Sequence, residues 1–278
     1  LTKMRVKKAA EKRDLVVIQA IQTLDDLDKT LNLFAGRVRE WYGLHFPELS
    51  RLVEKHETYT RLVATLRRRE NFTVENLEKE ELSKAKAEET AKAAQASMGS
   101  ELEDRDLDQI RAICNHALEL YKVRNSLEGY VDSTMEEVAP NIRALGGPLL
   151  GARLIALAGG LNNLAKMPAS TVQVLGAEKA LFRSLKSGAS PPKHGVIFQH
   201  SSLQEAKRWQ RGKVARTLAG KLAIAARIDA FSGGYRGDEL RGDLERRIRE
   251  IQERYRKPPA RKGPVRRPSR REKRGRKG

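Results

Sequence analysis

Apolar side chains recur along two stretches of this chain at alternating steps of four and three residues, a repeat that demands long paired helices. The first stretch runs Val17, Ile21, Leu24, Asp28, Leu31, Ala35, Val38, Tyr42, with Asp28 as its one polar member. The second runs Leu107, Ile110, Cys114, Ala117, Tyr121, Arg124, Glu128, Val131, Met135, Val138, and breaks at Arg124 and Glu128. Neither holds an interior proline, which would end or kink a helix. Residues 1–140 are therefore expected to form a rod of two long antiparallel helices, whose work is spacing or dimerisation. Val17, Ile21, Leu24, Leu31, Val38, Leu107 and Ile110 are the expected dimerisation positions. A helical bundle that packs only on itself satisfies the same pattern.

Between the two series, after a break at Pro47, the positions Leu49, Leu52, Val53, His56, Tyr59, Leu62, Val63 and Leu66 predict one shorter amphipathic helix. Residues 71–100 are rich in Glu, Lys and Ala, with Phe72, Val74, Leu77, Leu82 and Met98 as the larger apolar groups. That composition predicts a solvated hairpin tip or partly disordered chain. Pro140, Gly146, Gly147 and Pro148 then close the second long helix and begin a new unit over 141–256. Within it, Leu149 to Ala158 predicts a small-residue helix ended by Gly159-Gly160, and Ser170-Thr171 a cap for a helix that begins before Val172. Gly176 to Lys186 predicts a short helix, Gly195 to His200 an extended stretch, and Leu203 to Ile228 one continuous helix. The expected fold class is all-α: a long antiparallel coiled coil, a compact helical domain, and a disordered basic tail over 257–278.

Charge separates the same three parts. The chain carries 55 Lys and Arg against 36 Asp and Glu, a net of +19, but residues 1–140 hold −3, residues 141–256 hold +12 and residues 257–278 hold +10. A diffuse surplus would speak only to solubility. Confined to the C-terminal half, it predicts a face there that binds a polyanion, nucleic acid above all. Lys179, Arg183 and Lys186 sit at i, i+4 and i+7, on one side of a helix. From Lys166 to Lys221 eleven basic residues meet two acids, Glu178 and Glu205, too few to be a merely solvated surface. The tail after Pro258-Pro259 is too charged to bury anything, and is expected to attract phosphates without specificity.

Other function classes find little support. There is no run of eighteen apolar residues and no charged-then-apolar leader, so neither a membrane helix nor a secretory signal is expected. The first residue is Leu1, as in a fragment, and an intracellular protein is expected. The single cysteine, Cys114, excludes an internal disulfide and a cysteine-based zinc site. The histidines make no metal-binding pair with a glutamate between them, and no dinucleotide or P-loop glycine motif occurs. No catalytic residue, metal or cofactor is expected.

Four segments carry a family resemblance. Val174-Leu-Gly-Ala-Glu-Lys-Ala-Leu-Phe-Arg183 and Pro192-Lys-His-Gly-Val-Ile-Phe-Gln-His200 resemble the signature of the Nop-domain family. So do Arg208-Trp-Gln-Arg-Gly-Lys-Val-Ala-Arg216 and Ala226-Arg-Ile-Asp-Ala-Phe-Ser232. Upstream, Glu40-Trp-Tyr-Gly-Leu-His-Phe-Pro-Glu-Leu49 is similar to the segment that interrupts this family's coiled coil. The resemblance covers nearly all of residues 1–256. It lies closest to the archaeal scaffold of box C/D small ribonucleoproteins, the guide-RNA 2′-O-methylation particles. A spliceosomal relative that binds a small nuclear RNA kink-turn is the nearest alternative.

The resemblance implies a non-catalytic scaffold. Its coiled coil makes a homodimer, or a heterodimer in eukaryotes, and its Nop domain binds a kink-turn RNA together with a small ribosomal-protein-like partner. Fibrillarin, the methyltransferase, docks on a domain ahead of the coiled coil. This sequence begins about where the coiled coil begins, so contact with fibrillarin is expected only through that missing domain. The RNA-binding positions implied are Gly176, Glu178, Lys179, Leu181, Phe182, Arg183, Lys186, Lys193, His194, Arg208 and Arg211. Lys179 and Arg183 would meet the RNA backbone near the kink-turn stem, Leu181 or Phe182 would stack or wedge at a duplex end, and His194 would stack on a base or touch phosphate. Phe198 and Trp209 are expected to serve packing, and Glu178 to orient a lysine or favour the helix dipole. The implied location is the cytoplasm of an archaeon or the nucleolus of a eukaryote.

Overall fold

A computed structural model describes residues 2–258, with side chains from Arg13 onward. All but the first two residues of the expected tail at 257–278 lie outside the described residues. The fold is all-α, without a strand among the described residues. The helices are α1 (Thr2–Tyr42), α2 (Leu49–Leu52), α3 (His56–Leu66), α4 (Val74–Lys79), α5 (Lys84–Gln95), α6 (Asp104–Val138) and α7 (Pro140–Gly146). There follow α8 (Pro148–Ala158), α9 (Leu161–Lys166), α10 (Ala169–Val174), α11 (Glu178–Ser187), α12 (Ser201–Glu205), α13 (Arg211–Arg227) and α14 (Gly237–Arg254). None of the described helices is long and apolar enough to cross a membrane. By packing, they fall into two compact units, residues 2–166 with 225–237, and residues 167–224 with 238–258. The boundary that charge suggests at 140 and the boundary that packing draws at Lys166 are thus different divisions.

In the first unit α1 packs along α6. Arg13 pairs with Glu137 and Arg124 with Asp28, so one helix descends as the other climbs. The three polar breaks in the two heptad series turn out to be one another's partners. Arg124 Nε donates to Asp28 Oδ1 at 2.6 Å and its Nη1 to Glu128 Oε2 at 2.7 Å. A slip of register would leave charge against an apolar seam, which is how such layers specify pairing. The expected dimerisation positions need correction: Val17, Ile21, Leu24, Leu31, Val38, Leu107 and Ile110 are each at most 2% exposed within the single chain. Their apolar surface is consumed by the intrachain seam and none is left for a second copy.

Residues 49–100 also depart from expectation. The amphipathic helix predicted over Leu49–Leu66 is broken into α2 and α3, because Arg39 takes the carbonyls at the break. Its Nη2 donates to Val53 O (2.7 Å) and Glu54 O (2.8 Å), its Nη1 to Ser50 O, and its guanidinium lies 4.3 Å from the centre of the Tyr59 ring. The tip is packed rather than solvated: Phe72, Leu77, Ala87, Ala91 and Ala94 join a core with Tyr42, Phe46 and Tyr59. Alanine suffices there because it lets helices approach closely, so low apolar content did not mean low burial. His45 is buried as a connector: Nδ1 donates to Ser100 O and Nε2 accepts from the Arg69 amide.

Helices α7 to α9 are fixed by capping from far along the chain. Asp229 accepts from the amides of Asn141 (3.1 Å) and Ile142 (2.9 Å) and from Asn141 Nδ2, satisfying the start of α7 behind Pro140. Burial pushes the Asp229 carboxyl up from its ordinary range, while those bonds pull it back. Asp14 on α1 accepts from the Leu161 amide at 2.6 Å and caps α9. Asp25 on α1 receives Arg153 of α8 through Nε and Nη2. As expected, α8 ends at Gly159 in the left-handed region (φ +73°).

The second unit holds α10 to α12, most of α13, and α14. The apolar stripe of α14, Leu240, Leu244, Ile248 and Ile251, faces inward at steps of four and three. Lys221–Asp243 and Trp209 Nε1 to Tyr255 O, 2.8 Å, tie α13 to an antiparallel α14. Three expectations are corrected here. Ser170 and Thr171 lie inside α10, which begins after Pro168, so they do not cap it. The 195–200 stretch is not extended but holds a 3-10 turn over Val196–Gln199, and the helix over Leu203–Ile228 is interrupted at 206–210, where Gln210 Oε1 accepts from Lys207 N across the turn that leads into α13. Gly195 is required sterically: its amide donates to Gln173 O (2.8 Å), and a Cβ there would stand 2.0 Å from Leu175 O.

Three substitutions test this packing. Leu24→Ala should cost about 3 kcal/mol in urea unfolding through the cavity it leaves. Arg124→Ala should cost about 1 kcal/mol, because its partners are partly solvated, and that loss should shrink in molar salt whereas the Leu24 loss should not. Gly195→Ala should lower stability by about 2 kcal/mol, since main chain cannot retreat as a flexible side chain can, and a melting curve of the full chain measures it.

Candidate nucleic-acid interface

The second unit carries the sequence-expected site on two local structures. The first is α11. Gly176 (φ +82°) turns the chain sharply between α10 and α11, and the Glu178 carboxylate at the start of α11 accepts from the Gly176 amide at 2.7 Å. Glu178 therefore fastens the turn. Beyond it, Lys179, Arg183 and Lys186 are exposed, and none of them makes an ion pair among the described residues. At 100° per residue the three fall within an arc of about 60°. Next to that arc, Phe182 is 62% exposed and Leu185 73%, while Ser184 is buried and Leu181 half-buried. One helix thus presents a strip of cations beside a strip of open apolar surface. Leu185 was not among the expected positions, although its i, i+3 spacing from Phe182 was visible.

The second structure is the loop that precedes the 3-10 turn. Gln173 Nε2 donates to Lys193 O (2.6 Å), and Val196 N to Leu175 O (2.8 Å), so residues 193–196 are strapped to the end of α10. This places His194 face to face with Phe198, centroids 4.5 Å apart and rings 11° from parallel. The Arg211 guanidinium lies against the Phe198 ring, 5.2 Å from its centroid. Arg211 also donates from Nε to Ala206 O at 3.1 Å, so it buttresses the turn as well as adding charge. Partial burial, then the charges of Arg211 and Lys193, hold the His194 imidazole below its ordinary range. At neutral pH it is an uncharged ring suited to stacking.

The structure therefore brings Lys193, His194, Phe198 and Arg211 together and sets Lys179, Arg183 and Lys186 on one strip. Arg208 is exposed on the segment between α12 and α13. Phe198, expected to serve packing, is half-buried and stacks on His194; its spacing from His194 is the one local hint of this. Trp209 is half-buried and anchored by its indole N–H, as expected.

Comparison with known proteins follows the same residues. The Nop family model, described as a snoRNA binding domain with fibrillarin, matches residues 23–250. An uncharacterized NOP5 family protein of Methanocaldococcus jannaschii is 54% identical over 258 residues, covering 93% of this chain and 62% of its own length. Nucleolar protein 58 of Schizosaccharomyces pombe is 43% identical over 258 residues, covering 91% of this chain and 50% of its own. The mouse protein of that name is also 43% identical, over 257 residues, so this chain spans about half of those relatives. A crystal structure of a fibrillarin/Nop5p complex superposes with a TM-score of 0.52 at 26% identity, over 90% of this chain and 73% of that one. With the family match running from the middle of α1 nearly to the end of α14, the chain belongs to the Nop family.

Proposed function

We propose that this chain is a non-catalytic scaffold of a box C/D guide-RNA 2′-O-methylation particle. In this reading its second unit binds a kink-turn RNA together with a small ribosomal-protein-like partner already seated on that RNA. The observation that carries the reading is α11, where three cations without carboxylate partners stand beside an exposed phenyl ring. Phosphate neutralisation and stacking on unpaired bases are what those two strips do. Similarity to NOP5 and nucleolar protein 58 relatives favours the box C/D branch over a spliceosomal one. Methyl transfer belongs to fibrillarin, carried by the part of the scaffold ahead of the coiled coil. The site of action is the cytoplasm in an archaeon and the nucleolus in a eukaryote.

Self-association through the rod remains part of the proposal but cannot use the seam. The outer surface of the first unit exposes Leu33, Trp41, Leu44, Val123 and Tyr130, and a second copy would cover some of these.

Lys179→Ala with Arg183→Ala should weaken assembly on the RNA–partner complex, and should reduce the steepness of log K against log salt by about 2 units. A gel shift of kink-turn RNA with and without the small partner reads the first effect and a salt titration the second; unchanged binding in both sinks the assignment. Leu33→Glu with Val123→Glu should leave helicity intact and convert a dimer to a monomer by light scattering. A parent-like dimer mass would place the interface elsewhere.

A further inference from the structure

A groove of about 240 Å³ lies between α13 and α14, and the α11 face makes no use of it. Its walls carry Lys213 and Arg216 from α13 and Arg247 and Arg254 from α14, with Tyr255 at one end. The one carboxylate in the groove, Glu250, accepts from Arg247 Nη1 at 2.5 Å, so those two charges answer each other. Lys213, Arg216 and Arg254 make no ion pair among the described residues. Instead, Lys213 Nζ lies 4.2 Å from the Tyr255 ring centre and the Arg254 guanidinium 5.8 Å from it. The ring holds two cations near one another without neutralising either. At 100° per residue, Lys213 stands about 200° around α13 from Arg211, so the groove and the His194–Phe198–Arg211 stack use different sides of that helix.

We infer that this groove binds the sugar–phosphate backbone of RNA, as a second contact that rests on the reading of the chain as an RNA-binding scaffold. The uncompensated charge is distributed along the groove, one turn apart on α13 and again on the opposite wall, which suits a chain of phosphates better than a single phosphate group. Lys213 already lies against the Tyr255 ring and the unpaired groups of the groove are cations, so the contact is to phosphate and carries no sequence preference.

The test is a salt titration by fluorescence anisotropy, with the full chain binding a kink-turn RNA that carries the small partner. Replacing three cations, K213Q/R216Q/R254Q, should make the plot of log K against log salt shallower by about 2 to 3 units, while the charge-keeping K213R/R216K/R254K retains the parent slope. Circular dichroism checks that the helices persist; if the triple variant loses them, R254Q alone should still give a change of about 1 unit. An unchanged slope in the glutamine variant, alongside a shallower one in K179A/R183A, overturns the groove and leaves the α11 reading standing. The reverse pattern supports the groove and overturns the α11 assignment, and parent-like slopes in both overturn both. Equal losses in the glutamine and charge-keeping variants would show a packing effect and overturn the groove. So would an unchanged RNA slope with lost binding of a phosphoserine peptide, which would give the groove to a protein ligand.

Discussion

The guanidinium of Arg124, held between Asp28 and Glu128, is the contact from which the register of the first unit follows. Apolar heptads by themselves tolerate displacement by a whole repeat, since each new position again finds an apolar partner. A cation on one helix and its matching carboxylate on the other remove that freedom, because every displaced register leaves both unpaired beside the seam. The consequences extend beyond the helix pair. Asp14 and Asp25, about four turns and less than one turn from Asp28 along α1, hold the start of α9 and the side of α8. Helices assigned by charge to the C-terminal half are thereby built onto the rod, which is why packing draws its boundary at Lys166.

How much of this could be read from sequence depends on whether the cause is local. The long helices α1 and α6 were legible because periodicity sustained from Val17 to Tyr42 and from Leu107 to Val138 is a local signal, and the end of α8 because glycine announces its own conformation. The break between α2 and α3 was not, because its cause is Arg39, 11 to 15 residues upstream of the carbonyls that it satisfies and that a continuing helix would have used. The starts of α7 and α9 depend on Asp229 and Asp14, 88 and 147 positions away from the amides they cap. No window along the chain contains such a pair. Burial was misjudged at the tip for a related reason: Ala87, Ala91 and Ala94 are buried by what packs against them, whereas hydropathy counts only what each residue brings.

The same distinction runs through the interface. The cations of α11 were legible, since i, i+4 and i+7 spacing places them together whatever surrounds the helix. The stack of His194 on Phe198 was not, because its geometry is set by a hydrogen bond from Gln173 and one to the Leu175 carbonyl on another segment, and by Arg211 on a third. These two halves also differ in what they contribute. Unpaired surface cations supply affinity that salt erodes, whereas rings fixed before binding supply orientation at little entropic cost. Gly195 links them: without its close approach to Leu175, the loop bearing Lys193 and His194 would stand off from α10.

A surface of like charges is unfavourable until a partner neutralises it, and the second unit tolerates that cost in a structured way. Three carboxylates near the basic faces are already engaged by close neighbours. Glu178 is bound to the Gly176 amide, Asp243 to Lys221, and Glu250 to Arg247. None of these three is left to quench Lys179, Arg183, Lys213 or Arg216. A stretch with the same composition and freely rotating acids would be nearly as basic in total, yet its cations would be partly screened from phosphate. What makes the positive charge of this unit available to a polyanion is thus the placement of its few carboxylates, more than the number of its lysines and arginines.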